Sequence, residues 1–144
     1  MACKLKFNGQ RLPFIWNVSS KVGDSGSCAN TFTDVELVSF LLDFTFSKRA
    51  TSTAGLSRLN IDGRFDVSTA YCIYNFQVSR VEQIALCKNS KVDGIISPAR
   101  LFDPAKWTIA HLNEILYNAD KTGFMELDKN MRLSPQLRLE LSKG

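Results

Sequence analysis

Apolar residues recur at three- and four-residue spacing in three stretches of the chain, which predicts three amphipathic helices. The stretches lie within residues 33–46, 66–77 and 103–119. A residue that can cap a helix stands at each expected start; these residues are Thr33 or Asp34, Asp66 or Ser68, and Asp103 followed by Pro104. The residues expected to be buried together are Val38, Leu41, Leu42, Phe65, Ile73, Phe76, Ile96, Leu112 and Leu116. We therefore expect a mainly α-helical fold with three helices.

The two ends of the chain show the alternation of apolar and charged residues that is typical of strands. Residues 3–7 alternate and are followed by Asn8-Gly9, a strong hairpin signal, so we expect a β-hairpin with Pro13 on an edge. Residues 137–141 also alternate and predict a strand that pairs with this hairpin. The expected small antiparallel sheet would join the two termini. The hairpin can be a cap over a core edge, a lid or a docking strand.

Composition predicts one domain over residues 1–144. Hydrophobic residues make up 44% and charged residues 22% of the 144 residues, an ordinary globular composition. The net charge is +4, but Lys and Arg are scattered, so nucleic-acid binding is not expected. No apolar run is long enough for a membrane span, and the N-terminus lacks the apolar core of a Sec signal. We expect synthesis in the cytoplasm.

The most informative stretch is LNIDGRFDVSTAYCIYNFQ, residues 59–77, which holds an Asp-Gly turn, a helix start and an apolar helix face. This stretch resembles the repeat L-x-x-DG-x-F-G-x-x-T-x-x-A-I-x-x-FQ of the peptidoglycan-binding family. The matching residues are Leu59, Asp62, Gly63, Phe65, Thr69, Ala70, Ile73, Phe76 and Gln77. The chain departs from the repeat at Asp66-Val67, where the family has Gly-Pro.

The resemblance extends in both directions and covers roughly residues 16–119. Upstream, the residues similar to V-G-x-x-G-x-N-x-x-x-DV-x-x-VQ-x-LL are Val22-Gly23, Gly26, Asn30, Asp34-Val35, Val38, Leu41 and Leu42. Downstream, the residues similar to DG-x-I-x-P and T-x-x-x-LN are Val92 to Pro98, Thr108, Leu112 and Asn113. Ser39 replaces the family's glutamine. The resemblance implies the family's compact three-helix bundle as a helical core over residues 16–119, which leaves the N-terminal hairpin (1–15) and a C-terminal extension (120–144) outside it.

The resemblance also implies a non-catalytic module that holds peptidoglycan glycan or stem peptide in a shallow groove. Such a module would assist a separate wall hydrolase, as in phage lysis or as secretion cargo, after export by a specialised system or release by lysis. The alternative is an adaptor that binds a hydrolase or carrier protein on a degenerate scaffold. The residues expected to line the groove are Asp62, Arg64, Asp66, Ser68, Thr69, Tyr71, Asn75 and Asp93. Asp62 and Thr69 are more simply explained as turn and cap residues, whereas Arg64 and Tyr71 are the better ligand-binding candidates.

Catalysis is not expected from the residue types present. The four cysteines form no C-x-x-C pair and His111 is the single histidine, so a zinc site is improbable and no cofactor is expected. Free thiols are favoured over disulfides. The remaining nucleophile candidate is Cys28 paired with His111, because a thiol just before a helix has a lowered pKa. The glutamates are expected to be solvated charges on helices or strands; they are Glu36, Glu82, Glu114, Glu126 and Glu140.

Overall fold

The computed structural model describes residues 2–6, 12–48, 59–83, 92–100 and 107–143, which are mainly α-helical with two small antiparallel sheets. The strands are β1 (Cys3–Lys6), β2 (Phe14–Asn17), β3 (Val22–Gly23) and β4 (Ile95–Ile96). The helices are α1 (Phe32–Lys48), α2 (Val67–Gln83), α3 (Thr108–Ala119), α4 (Lys121–Met125) and α5 (Pro135–Ser142), with a 3-10 turn over Leu127–Lys129. No helix in these ranges is long and apolar enough to cross a membrane.

Helix α1 lies at the centre of the fold. Every residue from Thr33 to Asp43 is buried, including the polar ones, because α2, α3 and α5 all pack against this helix. Eight of the nine residues predicted to form the core are buried, and the ninth, Phe65, is partly buried against it, so this prediction is confirmed. The first helix was predicted to bury one apolar face, but the structure buries all sides of the helix from Thr33 to Asp43.

The start of α1 differs from the prediction. Helix α1 begins at Phe32, and the Val35 N–H already donates to the Thr31 carbonyl (2.9 Å). The buried Asp34 carboxylate does not cap the helix but accepts hydrogen bonds from the preceding loop. Its donors are the Thr31 hydroxyl (2.7 Å), the backbone N–H groups of Ser19 (3.1 Å) and Ser20 (3.0 Å), and both serine hydroxyls.

The short strands are completed by side-chain amides, which we call the amide clamps. In each clamp one asparagine accepts from the backbone N–H and donates to the backbone carbonyl of the same distant residue. The clamps are Asn17 on Ala99 (2.9 and 3.0 Å), Asn30 on Gly23 (2.9 and 3.0 Å) and Asn113 on Trp16 (2.8 and 2.9 Å). Because buried backbone groups must be paired, these amides take the place of a neighbouring strand. They hold β2 against α3 and against the segment after β4, and they hold β3 against the loop that precedes α1.

The N-terminal segment is part of that core. Strand β1 pairs with β2, with Lys4 opposite Trp16. Trp16 is fully buried, donates from Nε1 to the Phe124 carbonyl (2.8 Å), and packs with Phe14 and Phe124. Pro13 was predicted to lie on an edge of the hairpin, but it precedes the second strand, which begins at Phe14, and the Asn8-Gly9 turn lies outside the described residues. Of the roles left open, a cap integrated into the core agrees with this packing.

The predicted C-terminal strand is wrong, because residues 137–141 belong to helix α5. Ser134 caps this helix by accepting the Leu137 N–H (3.2 Å), and Pro135 occupies the first helical position. Leu137 and Leu141 are buried one turn apart, whereas Leu139 is 59% exposed. The alternation of leucines therefore fits a helix with one buried face, and the C-terminus supplies no strand to β1.

The structure confirms the predicted start of the second helix but does not describe the residues predicted to start the third. Helix α2 begins at Val67 after Asp66, as predicted, and extends beyond the expected end to Gln83. Helix α3 begins at Thr108 after Trp107, which makes no side-chain cap, and the predicted cap at Asp103-Pro104 lies outside the described residues. The described residues thus form α4 and α5 in addition to the three predicted helices.

Candidate functional site

The first Asp-Gly turn is a tightly packed support for the residues that follow it. Gly63 has a φ of 76°, a left-handed conformation that glycine adopts without strain, and the Asp62 carboxylate accepts the Arg64 N–H (3.0 Å). A Cβ atom at Gly63 would overlap the ring of Phe32, which lies across the turn. Asp62 therefore acts as a turn residue, and the backbone that carries Arg64 is held between the turn and the ring.

The start of α2 uses two more of the predicted groove residues for capping. One oxygen of Asp66 accepts both the backbone N–H and the hydroxyl of Thr69 (2.8 Å each). Thr69 is buried. Asp66 thus caps the start of α2, and the Thr69 hydroxyl is engaged inside the protein.

The second Asp-Gly turn is held by the buried amide of Gln77. Its Oε1 accepts the Gly94 N–H (2.8 Å), and its Nε2 lies within hydrogen-bond distance of Asp93 Oδ1 (3.3 Å), the Ile95 carbonyl (3.0 Å) and the Thr108 hydroxyl (3.2 Å). Asp93 also accepts the Ile95 N–H (3.0 Å). The carboxylate of Asp93, although exposed, therefore shapes this turn and ties it to the second half of α2.

The remaining predicted residues lie on the first Asp-Gly turn and on the outward face of α2. Arg64 and Ser68 are exposed, and Tyr71 is 54% exposed. The Asn75 amide donates to the Tyr71 carbonyl (2.8 Å), so this side chain is bonded within its own helix. Among the described residues, the Arg64 guanidinium has no ion pair or hydrogen bond. Arg64 and Tyr71 are thus the two large predicted side chains that remain free to contact a ligand.

Two exposed aromatic residues were not among the predicted site residues. Phe32 is 47% exposed beside Gly63, and Tyr74 is 53% exposed on the same face of α2 as Tyr71. The three-residue spacing from Tyr71 to Tyr74 was a usable signal in the sequence. Phe32 had none, because only the fold brings the start of α1 over a turn thirty residues later in the sequence.

The residues considered for a metal site or a Cys/His pair lie on separate elements of the described ranges. No group of three or more His, Cys, Asp and Glu there can hold a metal ion. Cys28 is half-buried in the turn before α1, where its N–H donates to the Ser25 carbonyl (3.0 Å), and His111 lies on α3. The described cysteines are free thiols. Burial, and then the nearby Asp43 and Asp66, raise the pKa of Cys72 to about 11, so this thiol is neutral and unreactive at neutral pH.

Two glutamates expected to be solvated are buried, which corrects that prediction. Glu36 on α1 accepts the backbone N–H and the hydroxyl of Ser134 (2.6 Å each), and so holds the start of α5. Glu140 on α5 is buried with its Oε2 lacking a hydrogen-bond partner among the described residues. Both are covered because α5 packs on α1, a contact that the predicted terminal strand did not provide.

Comparisons with protein-family models, with curated proteins and with solved structures returned no match for this sequence.

Proposed function

We propose that the protein is a non-catalytic module that binds bacterial peptidoglycan through Phe32, Arg64 and Tyr71, here called the turn surface. The observation that carries the proposal is the exposed Arg64 guanidinium on a rigid turn, unpaired among the described residues; the exposed ring of Phe32 lies across this turn, and the exposed ring of Tyr71 lies on the helix that follows it. Because the turn is held by Asp62 and Gly63, little conformational entropy is lost when a ligand binds.

The chemistry of the turn surface suits peptidoglycan. Stem peptides contain carboxylates and amides, and a guanidinium can bind a carboxylate with two parallel hydrogen bonds. Aromatic rings offer flat apolar area to sugar rings or to peptide side chains at low entropic cost. The surface supplies no catalytic group, so its contribution would be to raise the local concentration of a separate wall hydrolase. The protein would act at the wall after specialised export or release by lysis.

The roles of the motif residues support the underlying resemblance. Four polar residues of the quoted motifs make hydrogen bonds that shape a turn, a cap or a clamp; they are Asn30, Thr69, Gln77 and Asn113. We propose that α1, α2 and α3, with the β3–β4 pair, form the family's three-helix core. Strands β1 and β2 and helices α4 and α5 would then be additions to it.

The two departures from the family's motifs, at Ser39 and at Asp66-Val67, do not remove any residue of the turn surface. Ser39 is fully buried within α1, and its hydroxyl has no hydrogen-bond partner among the described residues. The replacement of glutamine by serine therefore changes packing and leaves the turn surface unaltered. Asp66 caps α2, so this replacement keeps the helix start.

Retention on purified sacculi tests the proposal. Arg64→Ala combined with Tyr71→Ala should weaken retention at least about tenfold, since losing one charge-assisted bond removes about 1.5–3 kcal/mol. The melting temperature should stay within about 2 °C, because both side chains are exposed. The matched control is Arg100→Ala with Leu139→Ala, which removes an exposed arginine and an exposed apolar side chain elsewhere. Equal retention of both double variants would remove the turn surface from the binding site.

A second candidate function is an adaptor on the same scaffold, and the exposed apolar residues Val67 and Tyr74 favour it. Wall binding does not require these two side chains, whereas a protein partner such as a separate hydrolase or a carrier would bury them. Under this alternative, sacculi would not retain the wild-type protein. A purified partner hydrolase would bind it, and Tyr74→Ala would weaken that complex more than Arg64→Ala.

A further inference from the structure

Three charged residues between the first Asp-Gly turn and the start of α2 are exposed at alternate positions of the chain. They are Asp62, Arg64 and Asp66, and we call them the charged triplet. The residues between them lie inward, because Gly63 is buried and Phe65 packs against the core. Two Cα atoms that are two positions apart in the chain lie within about 7 Å of each other. Both aspartates are therefore close neighbours of Arg64 on the solvent side of this segment.

Each aspartate of the charged triplet uses only one of its two oxygens within the described part of the protein. Asp62 Oδ1 accepts the Arg64 N–H (3.0 Å), and Asp66 Oδ1 accepts the N–H and the hydroxyl of Thr69 (2.8 Å each). These bonds hold both carboxylates in place. Because an ionised carboxylate has two acceptor oxygens, the second oxygen of each aspartate can accept a hydrogen bond from a ligand.

The charges of the triplet favour a ligand that carries both signs. Among the described residues, the Arg64 guanidinium forms no ion pair, although two carboxylates are its neighbours. Residues 59–69 contain no other ionisable side chain, so their formal charge is −1. A ligand with a carboxylate alone would be attracted by Arg64 and repelled by both aspartates, and a ligand with an ammonium alone would meet the reverse. A ligand with both groups close together is attracted at every position.

We propose that the charged triplet selects stem peptides by a zwitterionic group, an ammonium and a carboxylate attached to the same carbon atom. This inference rests on the proposed function, because Arg64 belongs to the turn surface. Arg64 binds the carboxylate of this group with two parallel hydrogen bonds, and the second oxygens of Asp62 and Asp66 accept from its ammonium.

The chemistry of the wall indicates where such a group occurs. A diaminopimelate side chain ends in an ammonium and a carboxylate on one carbon atom as long as its stem peptide is not cross-linked. Cross-linking acylates this nitrogen and removes its positive charge. A lysine side chain has the ammonium without the carboxylate. The protein therefore prefers stem peptides with a free diaminopimelate end over cross-linked stems and over stems that contain lysine.

Three soluble tripeptides test this preference. Each begins with L-Ala-γ-D-Glu and ends with diaminopimelate, with diaminopimelate acetylated on its side-chain nitrogen, or with lysine. The acetylated peptide lacks only the ammonium, and the lysine peptide lacks only the side-chain carboxylate. In amide chemical-shift titrations, the dissociation constant of the first peptide should be at least about fivefold lower than that of either other peptide. Equal constants, or no binding of the first peptide up to about 10 mM, would overturn the inference.

Two variants should lose different halves of the preference. Asp62→Asn combined with Asp66→Asn keeps an acceptor for the turn and for the cap but removes the negative charge, so it should bind the acetylated and free diaminopimelate peptides equally. Arg64→Gln should instead bind the lysine and diaminopimelate peptides equally. The matched control is Asp24→Asn with Asp120→Asn, two exposed aspartates of which the second also caps a helix, and it should keep both preferences. A triplet variant that keeps both preferences would refute the assignment.

Retention on sacculi separates failure of this inference from failure of the proposed function. A wild-type protein that sacculi retain but that binds all three tripeptides equally would leave wall binding intact and refute the selection of a zwitterionic group. A protein that shows the expected preference but is not retained on sacculi would support the selection and refute wall binding. The melting temperatures of the triplet variants should stay within about 3 °C of the wild type, which shows that they are folded.

Discussion

Replacing Asn113 by Ala should be among the most destabilising single changes in the described residues. Asn113 is fully buried, accepts the Trp16 N–H (2.8 Å), and donates to the carbonyls of Trp16 (2.9 Å) and Ile109 (2.8 Å). Alanine removes the partner of two buried backbone groups of Trp16, each of which costs about 1–3 kcal/mol when left unpaired. The free energy of unfolding should therefore fall by about 3–5 kcal/mol, a large share of the roughly 5–15 kcal/mol of a typical domain.

Equilibrium urea unfolding followed by tryptophan fluorescence measures this loss, because Trp16 is a buried reporter next to the clamp. Asn118→Ala on the exposed side of the same helix is the control and should change stability by less than about 0.5 kcal/mol. Asn113→Asp keeps the acceptor but places a carboxylate against the Trp16 carbonyl, so its deficit should shrink as the pH falls and the carboxyl becomes a donor. A loss below about 0.5 kcal/mol for Asn113→Ala would refute the view that this amide replaces a strand.

Two further predictions concern buried ionisable groups. Burial raises the pKa of Cys72 to about 11 from 9.0, so only the unfolded state ionises between these values and stability should fall from pH 9 to pH 11, by up to about 2–3 kcal/mol. Cys72→Ala should remove this part of the slope, and parallel pH curves for the two proteins would contradict it. Glu36→Ala leaves two donors of Ser134 unpaired and should cost about 2–4 kcal/mol and increase hydrogen exchange in residues 135–142. The exposed Glu126→Ala is its control, and equal losses would show that Glu36 does not hold α5.

Local features of the fold were predictable from the sequence because their causes lie within a few residues. Hydrogen bonds between residues two or three positions apart form the Asp62-Gly63 turn and the Asp66 cap. The buried face of α2 follows from the spacing of its apolar residues, which are three or four positions apart. Local patterns can also be ambiguous. Alternating leucines at 137–141 are compatible with a strand, and the Ser134-Pro135 start was the local signal that distinguished a helix.

The candidate site was predictable in part. The turn and the helix start were placed correctly, and Arg64 and Tyr71 are exposed as the better candidates should be. Phe32 was missed because it reaches the turn only when α1 packs beside it. The structural role of Asp93 became apparent only with its hydrogen-bond partners known, because it depends on Gln77 from another element.

The sequence by itself determined where the turns and the first helices form and which apolar residues are buried, since hydrophobic spacing and capping act over one or two helical turns. Only the tertiary structure decided which polar residues are buried. Asn113 and Trp16 are 97 positions apart, and Glu36 and Ser134 are 98 apart, so no local pattern connects them. A buried amide or carboxylate is stable only where distant backbone groups complete its hydrogen bonds, and the packing of α5 and β2 around α1 supplies those groups.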